Sequence, residues 1–323
     1  MSGRSRPRGS RLSRAETRTA LLFASPWIIG FSVFLAYPLV ASFYYSFCDY
    51  SVLREPVWLG SQNYRALLRD EVFWKSLQNT AIYAAMVLPF GMAVAISLAL
   101  LLNAKVRGMT VYRTIFFLPS LVPTIPLAVL WLWVFNGEHG ILNEVLRRIQ
   151  LAVLWLWDLV FHHGVAARHA NLFAPNWLSD PAWSKPALVL LALWGAGNAM
   201  VIYLAGLQDV PAEMYEAAEL DGAGFWAKTR NVTLPMLSPV ILFNGIMGII
   251  GTLQVFAEPY VMFPGGSPAR STYFYTMYLF DNAFIYHKMG YACAMGWIMF
   301  VIILALTLLA LRISEKHVHY QGS

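Results

Sequence analysis

Charge is what this sequence has least of. Only 12% of its 323 residues are Asp, Glu, Lys or Arg, while 58% are hydrophobic and the mean hydropathy is +0.54. A soluble domain carries roughly 25% charged residues, so the two soluble domains that length alone allows are excluded in favour of one integral membrane protein. Cysteine is scarce as well. Cys48 and Cys293 are too few for a disulfide scaffold, and each lies in or beside an apolar stretch, where cysteine acts as a small hydrophobe. No Gly-Lys dipeptide occurs, so a phosphate-cradling P-loop is missing and the chain is expected to hydrolyse no ATP and to hold no cofactor. Neither His-Glu-x-x-His nor Cys-x-x-Cys occurs, and His162, His163 and His169 have no converging motif, so no metal site is expected. No nucleophile is paired with a base, so no catalytic residue is assigned. The net charge of +6 does not indicate nucleic acid: six arginines and one glutamate within the first 18 residues supply most of it. In a membrane protein such a tail is a topology signal.

What the sequence does have is long uncharged runs. Six windows without Asp, Glu, Lys or Arg cover residues 19–48, 76–104, 114–137, 186–208, 231–257 and 289–311, each of at least 23 residues; the next longest has 11. About 20 apolar residues cross a bilayer as a helix, and the runs are continuous rather than alternating, which excludes a barrel. The expected fold is an all-α integral membrane protein with six transmembrane helices. With the N-terminus in the cytoplasm, the inner segments carry 13 basic residues and the longer outer ones 10. Both termini are therefore expected in the cytoplasm. Residues 1–18 form a basic tail, 19–312 one membrane domain and 313–323 a second tail. Pro119, Pro123 and Pro126 make a straight third helix unattainable and predict a kink there.

An anomaly lies after the third window. Leu127-Ala-Val-Leu-Trp-Leu-Trp133 recurs in all seven residues at Leu151–Trp157. The second copy opens a stretch of only eleven residues, Leu151–Phe161, interrupted by Asp158 and too short to span, so it is expected to be an outer amphipathic segment, with Trp155 and Trp157 suited to the membrane–water interface.

The segment 209–235 holds five acids and two bases. Asp209 is placed to cap a helix carrying Met214, Tyr215, Ala218 and Leu220 as an apolar stripe. Gly222 and Gly224 then turn the chain into a second short helix from Phe225 toward Val232, which Leu234-Pro235 closes. Glu216-Ala217-Ala218, three residues, Gly222, nine residues and Val232-Thr-Leu234-Pro235 resembles the EAA loop of ABC importer permeases, with Val232 where the family pattern has Ile. Further stretches resemble the carbohydrate-uptake permeases of the maltose and glycerol-3-phosphate type: Ser25-Pro-Trp, Tyr37-Pro38, Asn63-Tyr64, Asn79-Thr80, Arg113-Thr-Ile-Phe-Phe-Leu-Pro119, Asn176-Trp-Leu-Ser-Asp-Pro181, Tyr203-Leu-Ala-Gly-Leu-Gln208 and Pro264-Gly-Gly-Ser-Pro268. The likeness runs over about residues 15–315 and fails over an outer insert at about 147–174.

The resemblance implies a type I ABC importer permease architecture with a cytoplasmic coupling helix. It also implies a second homologous permease, two ATPase subunits that hold ATP and Mg, and an extracytoplasmic solute-binding protein, all at a bacterial-type inner membrane. Carried over residue by residue, Glu216, Ala217, Ala218, Gly222, Leu234 and Pro235 are the ATPase-coupling residues.

For the solute pathway, Asn244, Gly248, Gly251, Gln254 and Glu258 recur at spacings of three and four in the fifth window. They predict either a polar cavity wall or tight packing through glycines. Asn198, beside Gly195 and Gly197, is a further candidate, with an interhelical hydrogen bond as its alternative role. Tyr273, Tyr275, Tyr278 and Trp297 suit interfacial anchoring more than stacking on a sugar. No Lys or Arg lies in the six windows, which favours a neutral solute such as a sugar or polyol over a phosphorylated one. An ion-gradient-driven transporter would place titratable groups in mid-membrane, and a permease for a non-sugar solute would share the EAA loop. Both remain as alternatives.

Overall fold

The computed structural model describes residues 14–104, 106–161 and 172–314. The N-terminal arginine tail to residue 13, the three histidines at 162, 163 and 169, and the C-terminal tail from 315 lie outside the described residues. The chain divides into two units. One comprises the described residues up to Ala66 with Asn282–Trp297. The other comprises Leu67–Asp281 and the described residues from Ile298 onward.

The first unit begins with α1 (Arg14–Phe31), which passes through a widened π turn at Ser32–Ala36 into α2 (Tyr37–Ser46). Pro26 and Pro38 are absorbed without ending the run; Pro38 falls in the first turn of α2, where no donor is needed. Phe23, Trp27 and Phe34 are exposed along this helix, as lipid-facing side chains are. A short hairpin of β1 (Cys48–Asp49) and β2 (Val57–Trp58) follows, then α3 (Gln62–Leu68). Asn63 explains its place in the sequence: its amide donates to the carbonyls of Ser46 and Cys48, both at 2.9 Å, while the Tyr64 hydroxyl donates to Ser46 Oγ at 2.8 Å. Both cysteines are free, and Cys48 is fully buried. Trp297 packs edge-on against Phe43.

The second unit is built on α4 (Glu71–Leu102), 32 residues long and opened by Asp70, whose Oδ1 accepts from the amides of Val72 and Phe73. After it come α5 (Met109–Phe117), α6 (Thr124–Val134), α7 (Ile141–Phe161), α8 (Pro181–Trp194) and α9 (Gly197–Gln208). Then follow α10 (Ala212–Leu220), α11 (Phe225–Lys228), α12 (Leu234–Met236), α13 (Ser238–Leu253), α14 (Ala257–Met262) and α15 (Tyr275–Phe280). The last helix, α16 (Met289–Ser314), contributes its start to the first unit and its remainder to the second.

Helices α8, α9, α13 and α15 pack on α4. Ala95 and Ala99 are fully buried there against Met200 and Tyr203. Small residues matter more than apolarity at such a seam, because lipid is as apolar as leucine and close contact is what favours association. Arg113 caps α4 from outside: its Nε and Nη2 donate to the Leu102 carbonyl at 3.2 and 3.0 Å. Asn79 and Thr80 hold the loop that leads into α15. The Asn79 amide donates to the carbonyls of Arg270 and Tyr273, and the Tyr275 amide donates to Thr80 Oγ1.

Among the described residues, four helical stretches are long and apolar enough to cross a membrane without a sharp bend: Thr17–Ser46, Glu71–Leu102, Ser238–Met262 and Met289–Ser314. The other two windows are bent pairs, Met109–Leu121 with Thr124–Val134 at 99° and Pro181–Trp194 with Gly197–Gln208 at 46°. Six regular spans therefore overstates the third and fourth. At the first break Pro123 is extended (φ −60°, ψ 144°), and the missing proline donors prevent repair. At the second, a Cβ on Gly197 would stand 2.7 Å from the Phe116 carbonyl, so the helix opens where two backbones touch.

Candidate coupling turn and solute pathway

The loop 209–235 folds as two short helices, α10 and α11, with a widened turn at Thr229–Thr233 leading into α12 and α13. Its cap differs from expectation. Asp209 is the last residue of the preceding turn, and Pro211 occupies the start of α10, with no side-chain cap. Gly222 does what its position predicts. It has φ +74°, its amide donates to Glu219 O at 3.0 Å, and the Ala223 amide donates to Ala218 O at 2.9 Å. This pair of bonds is a Schellman closure, which satisfies the last carbonyls of α10.

Two side-chain links hold α10 to the return segment. The Tyr215 hydroxyl is 3.1 Å from Thr233 Oγ1, and Lys228 Nζ donates to Glu219 Oε1 at 2.7 Å. That hydrogen bond, with the lysine's charge, holds the Glu219 carboxyl below its usual range. Tyr215 and Ala218 are half-buried, but Met214 and Leu220 are exposed, so the expected stripe does not pack inward as a set. Glu216, Ala217 and Gly222 also lie at the surface, and Glu216 forms no ion pair among the described residues. Leu220 (90% exposed) and Trp226 (80%) stand beside them. Leu234 and Pro235 are half-buried and lie within the helical run rather than closing it.

The fifth-window stripe is split by structure. Helix α13 ends at Leu253, and Phe256 (φ −142°) separates it from α14. Gly251, Gln254 and Glu258 nevertheless line one cavity of 440 Å³, together with Tyr83, Thr124 and Thr252. Asn244 and Gly248 line a smaller one of 140 Å³ with Tyr203 and, again, Thr252. Both readings of the stripe hold in part. A Cβ on Gly248 would stand 2.7 Å from Leu88 Cδ2, which is packing, while Gly251 faces open space. The Tyr203 hydroxyl is buried and has no hydrogen-bond partner among the described residues. Asn244 spends its amide on the Val240 carbonyl at 3.0 Å. Asn198 is exposed and lines neither cavity.

A larger concavity of 570 Å³ lies at the far end of α6, between Trp133, Asn136, His139 and Leu178. None of the predicted pathway residues reaches it. The tyrosines expected at the interface are held inside the protein: Tyr275 is fully buried, Tyr273 donates to Asp281, and Tyr278 donates to Asp70. Tyr83, Thr252 and Tyr203 join the pathway list from the structure. Each stands on a different helix from the residues it meets, apart from Thr252 on α13 itself, so sequence spacing could not bring them together.

Long apolar helices with exposed hydrophobic side chains, together with the helix–turn–helix at 209–235, are the architecture of a membrane permease. The family model for the binding-protein-dependent transport system inner membrane component matches residues 87–319, and the chain belongs to this family. It is 34% identical to the probable ABC transporter permease protein YesP of Bacillus subtilis, over 97% of this chain and 96% of that one. It is 31% identical to the arabinooligosaccharides transport system permease protein AraP of the same organism (91% and 87% covered). The lactose transport system permease protein LacF of Rhizobium radiobacter is 32% identical (93% and 95%). The fold matches a chain in the crystal structure of a bacterial ABC transporter that imports the acidic polysaccharide alginate. The TM-score is 0.76 at 24% identity, covering 95% of this chain and 99% of that one. Family membership sets aside the ion-gradient-driven alternative, and the chain is an inner-membrane component rather than the ATPase.

Proposed function

We propose that the chain is one permease of an ATP-driven sugar importer, taking a neutral saccharide or related polyol from a solute-binding protein. Residues 19–312 form one permease domain that crosses the membrane six times, two crossings being the bent pairs. The tails 1–18 and 313–323 and the loop 209–235 lie in the cytoplasm. A second homologous permease completes the pathway. Two ATPase subunits bind ATP and Mg, and this chain binds neither.

The implied motion is mechanical. When the ATPases close on ATP, a cleft in one of them carries α10. The charge of Glu216, the small Ala217 and Ala218 and the turn at Gly222 form the docking face, and the Tyr215–Thr233 and Glu219–Lys228 links pass displacement to α12 and α13. Because α13 carries Gly251 and Thr252, movement there reshapes the 440 Å³ cavity.

The observation that carries the substrate class is the lining of that cavity: hydroxyl, amide and aromatic groups with Glu258 and no Lys or Arg. Relatives named for arabinooligosaccharides and lactose support the same class. The test is ATP-dependent uptake by the complex in proteoliposomes with its binding protein, across neutral oligosaccharides, amino acids and phosphorylated sugars. Saccharide uptake that survives a protonophore is expected. Uptake confined to amino acids or phosphorylated compounds would refute the substrate class and leave the coupling assignment standing.

A further inference from the structure

Helix α7 begins at Ile141, ten residues before the repeated segment that the uncharged run marks, and its 21 residues extend about 31 Å. Its front half is anchored by hydrogen bonds. Asn143 is buried, its amide donates to the carbonyls of Gly137 (2.9 Å) and Pro175 (3.0 Å), and its Oδ1 accepts from Trp177 Nε1 at 2.8 Å. Gln150 is clamped to residue 173 by two bonds, donating to its carbonyl and accepting from its amide.

Another face of the helix is largely exposed, apart from Leu142 in its first turn, which packs against the core. At about 100° per residue, Ile141, Val145, Ile149, Val153, Leu156 and Val160 fall in one stripe, and each is 45–68% exposed. Ala152 and Leu159 fill the same stripe, so no polar side chain interrupts it from end to end. Trp155 and Trp157, both exposed, fall about 100° to either side of the stripe's midline. Glu144 and Arg147 lie on the other side, while Arg148 falls at the edge of the stripe, about 20° from Ile141 and Leu159; the three neutralise one another in part, with Arg148 Nε 2.7 Å and Arg147 Nη1 3.6 Å from Glu144.

We propose that α7 is an interfacial helix that docks on the lipid surface, with the aliphatic stripe immersed among the outer ends of the acyl chains and the two tryptophans at headgroup level. Three observations choose lipid over a protein partner. The stripe is purely aliphatic, and tryptophans border it on both sides, as in helices that lie in the membrane plane. The exposed apolar side chains of α6 run to Trp133 (79% exposed), eight residues before Ile141, and α6 and α7 are in contact. The polar side is ion-paired, so attraction rests on apolar area rather than on anionic headgroups. The proposal rests on the chain's membership of an inner-membrane family and goes beyond it.

The test is spin labelling of the full complex in nanodiscs. Single cysteines replace Ile149, Leu156 and, on the opposite side, Leu151, in a parent carrying Cys48→Ala and Cys293→Ala. Phe90→Cys, on the exposed side of α4, reports whether bilayer surrounds the chain at all. The expected result is an oxygen-to-nickel accessibility ratio several-fold higher at 149 and 156 than at 151, at headgroup-proximal depth. It should be the same in phosphatidylcholine alone as with added phosphatidylglycerol.

Nickel access at all three positions would overturn the proposal, as would exclusion of both reagents at 149 and 156, which marks a covering protein. Depth increasing to the bilayer centre would overturn it by making α7 a spanning element. Immersion only with anionic lipid would overturn the apolar account. If the parent does not purify intact, quenching by brominated lipids, taken as the difference between the native chain and W155F/W157F, decides instead. Stronger quenching of that pair by shallow than by deep bromines is expected, and no quenching of it overturns the proposal.

Discussion

Gly222 sits at φ +74°, yet a Cβ there would meet no atom within 4 Å. Space is therefore not what position 222 needs; the left-handed backbone is, and a non-glycine residue there costs about 1–2 kcal/mol. Gly222→Val and Gly222→Asn separate conformation from contact. Valine is expected to spoil the turn and abolish uptake with normal amounts of chain in the membrane, while asparagine, which tolerates that region, keeps most of it. Uptake undiminished in the valine variant would remove the coupling role of the turn. Asn143 poses the opposite problem, a buried side chain with three committed bonds. Asn143→Leu leaves Trp177 Nε1 and two carbonyls unsatisfied, at about 1–3 kcal/mol for each; Trp177→Phe leaves only one acceptor short. Thermal denaturation in detergent should place Asn143→Leu well below Trp177→Phe, and equal midpoints would show that the Asn143 amide holds nothing.

The link between α10 and α11 is electrostatic and at the surface, so its response to pH has a definite sign. The hydrogen bond and charge of Lys228 lower the pKa of Glu219, so the stabilisation exists above the ordinary carboxylate range and disappears as pH falls through the lowered folded value. Between pH 6 and 8 it is constant. Lys228→Met should speed hydrogen exchange of the 212–228 segment at neutral pH, and the difference from the native chain should shrink as pH drops below the carboxylate range. A difference independent of pH would assign the effect to packing of the lysine stem. The elements also show what sequence alone conveyed. Uncharged runs located each apolar helix long enough to cross a membrane among the described residues, because apolarity is a property of composition. The prolines at 119, 123 and 126 announced the 99° bend, but nothing in the sequence announced the 46° one, because the opening at Gly197 depends on the Phe116 backbone lying across it. The start of α7 was hidden for a related reason: Ile141, Val145 and Ile149 alternate with Glu144, Arg147 and Arg148, so the helix fails any search for uncharged windows although its stripe is unbroken.

At the scale of the molecule, the pathway was only half legible. Asn244, Gln254 and Glu258 share one sequence period and do meet cavities, but Tyr83 and Tyr203 reach the same cavities from α4 and α9, and Asn198 does not. A cavity is assembled by tertiary contacts, so neighbours in space leave no trace in spacing. Glu258 is the one carboxylate in the 440 Å³ lining, which makes it the sharpest test of where the driving force enters. If transport is driven by ATP at a partner, the carboxylate has no proton to carry. Glu258→Gln should then alter the KM for solute by several-fold at most, with uptake still dependent on ATP and indifferent to a protonophore. If solute movement were tied to protonation here, the same variant would lose accumulation against a gradient while still exchanging solute downhill. Purification of the tagged chain in mild detergent supplies the matching structural outcome. A second permease and a nucleotide-binding subunit should be recovered with it, and the Gly222→Val variant should retain the permease while releasing the ATPase. Loss of both together would place position 222 in the folding of the chain rather than in its coupling.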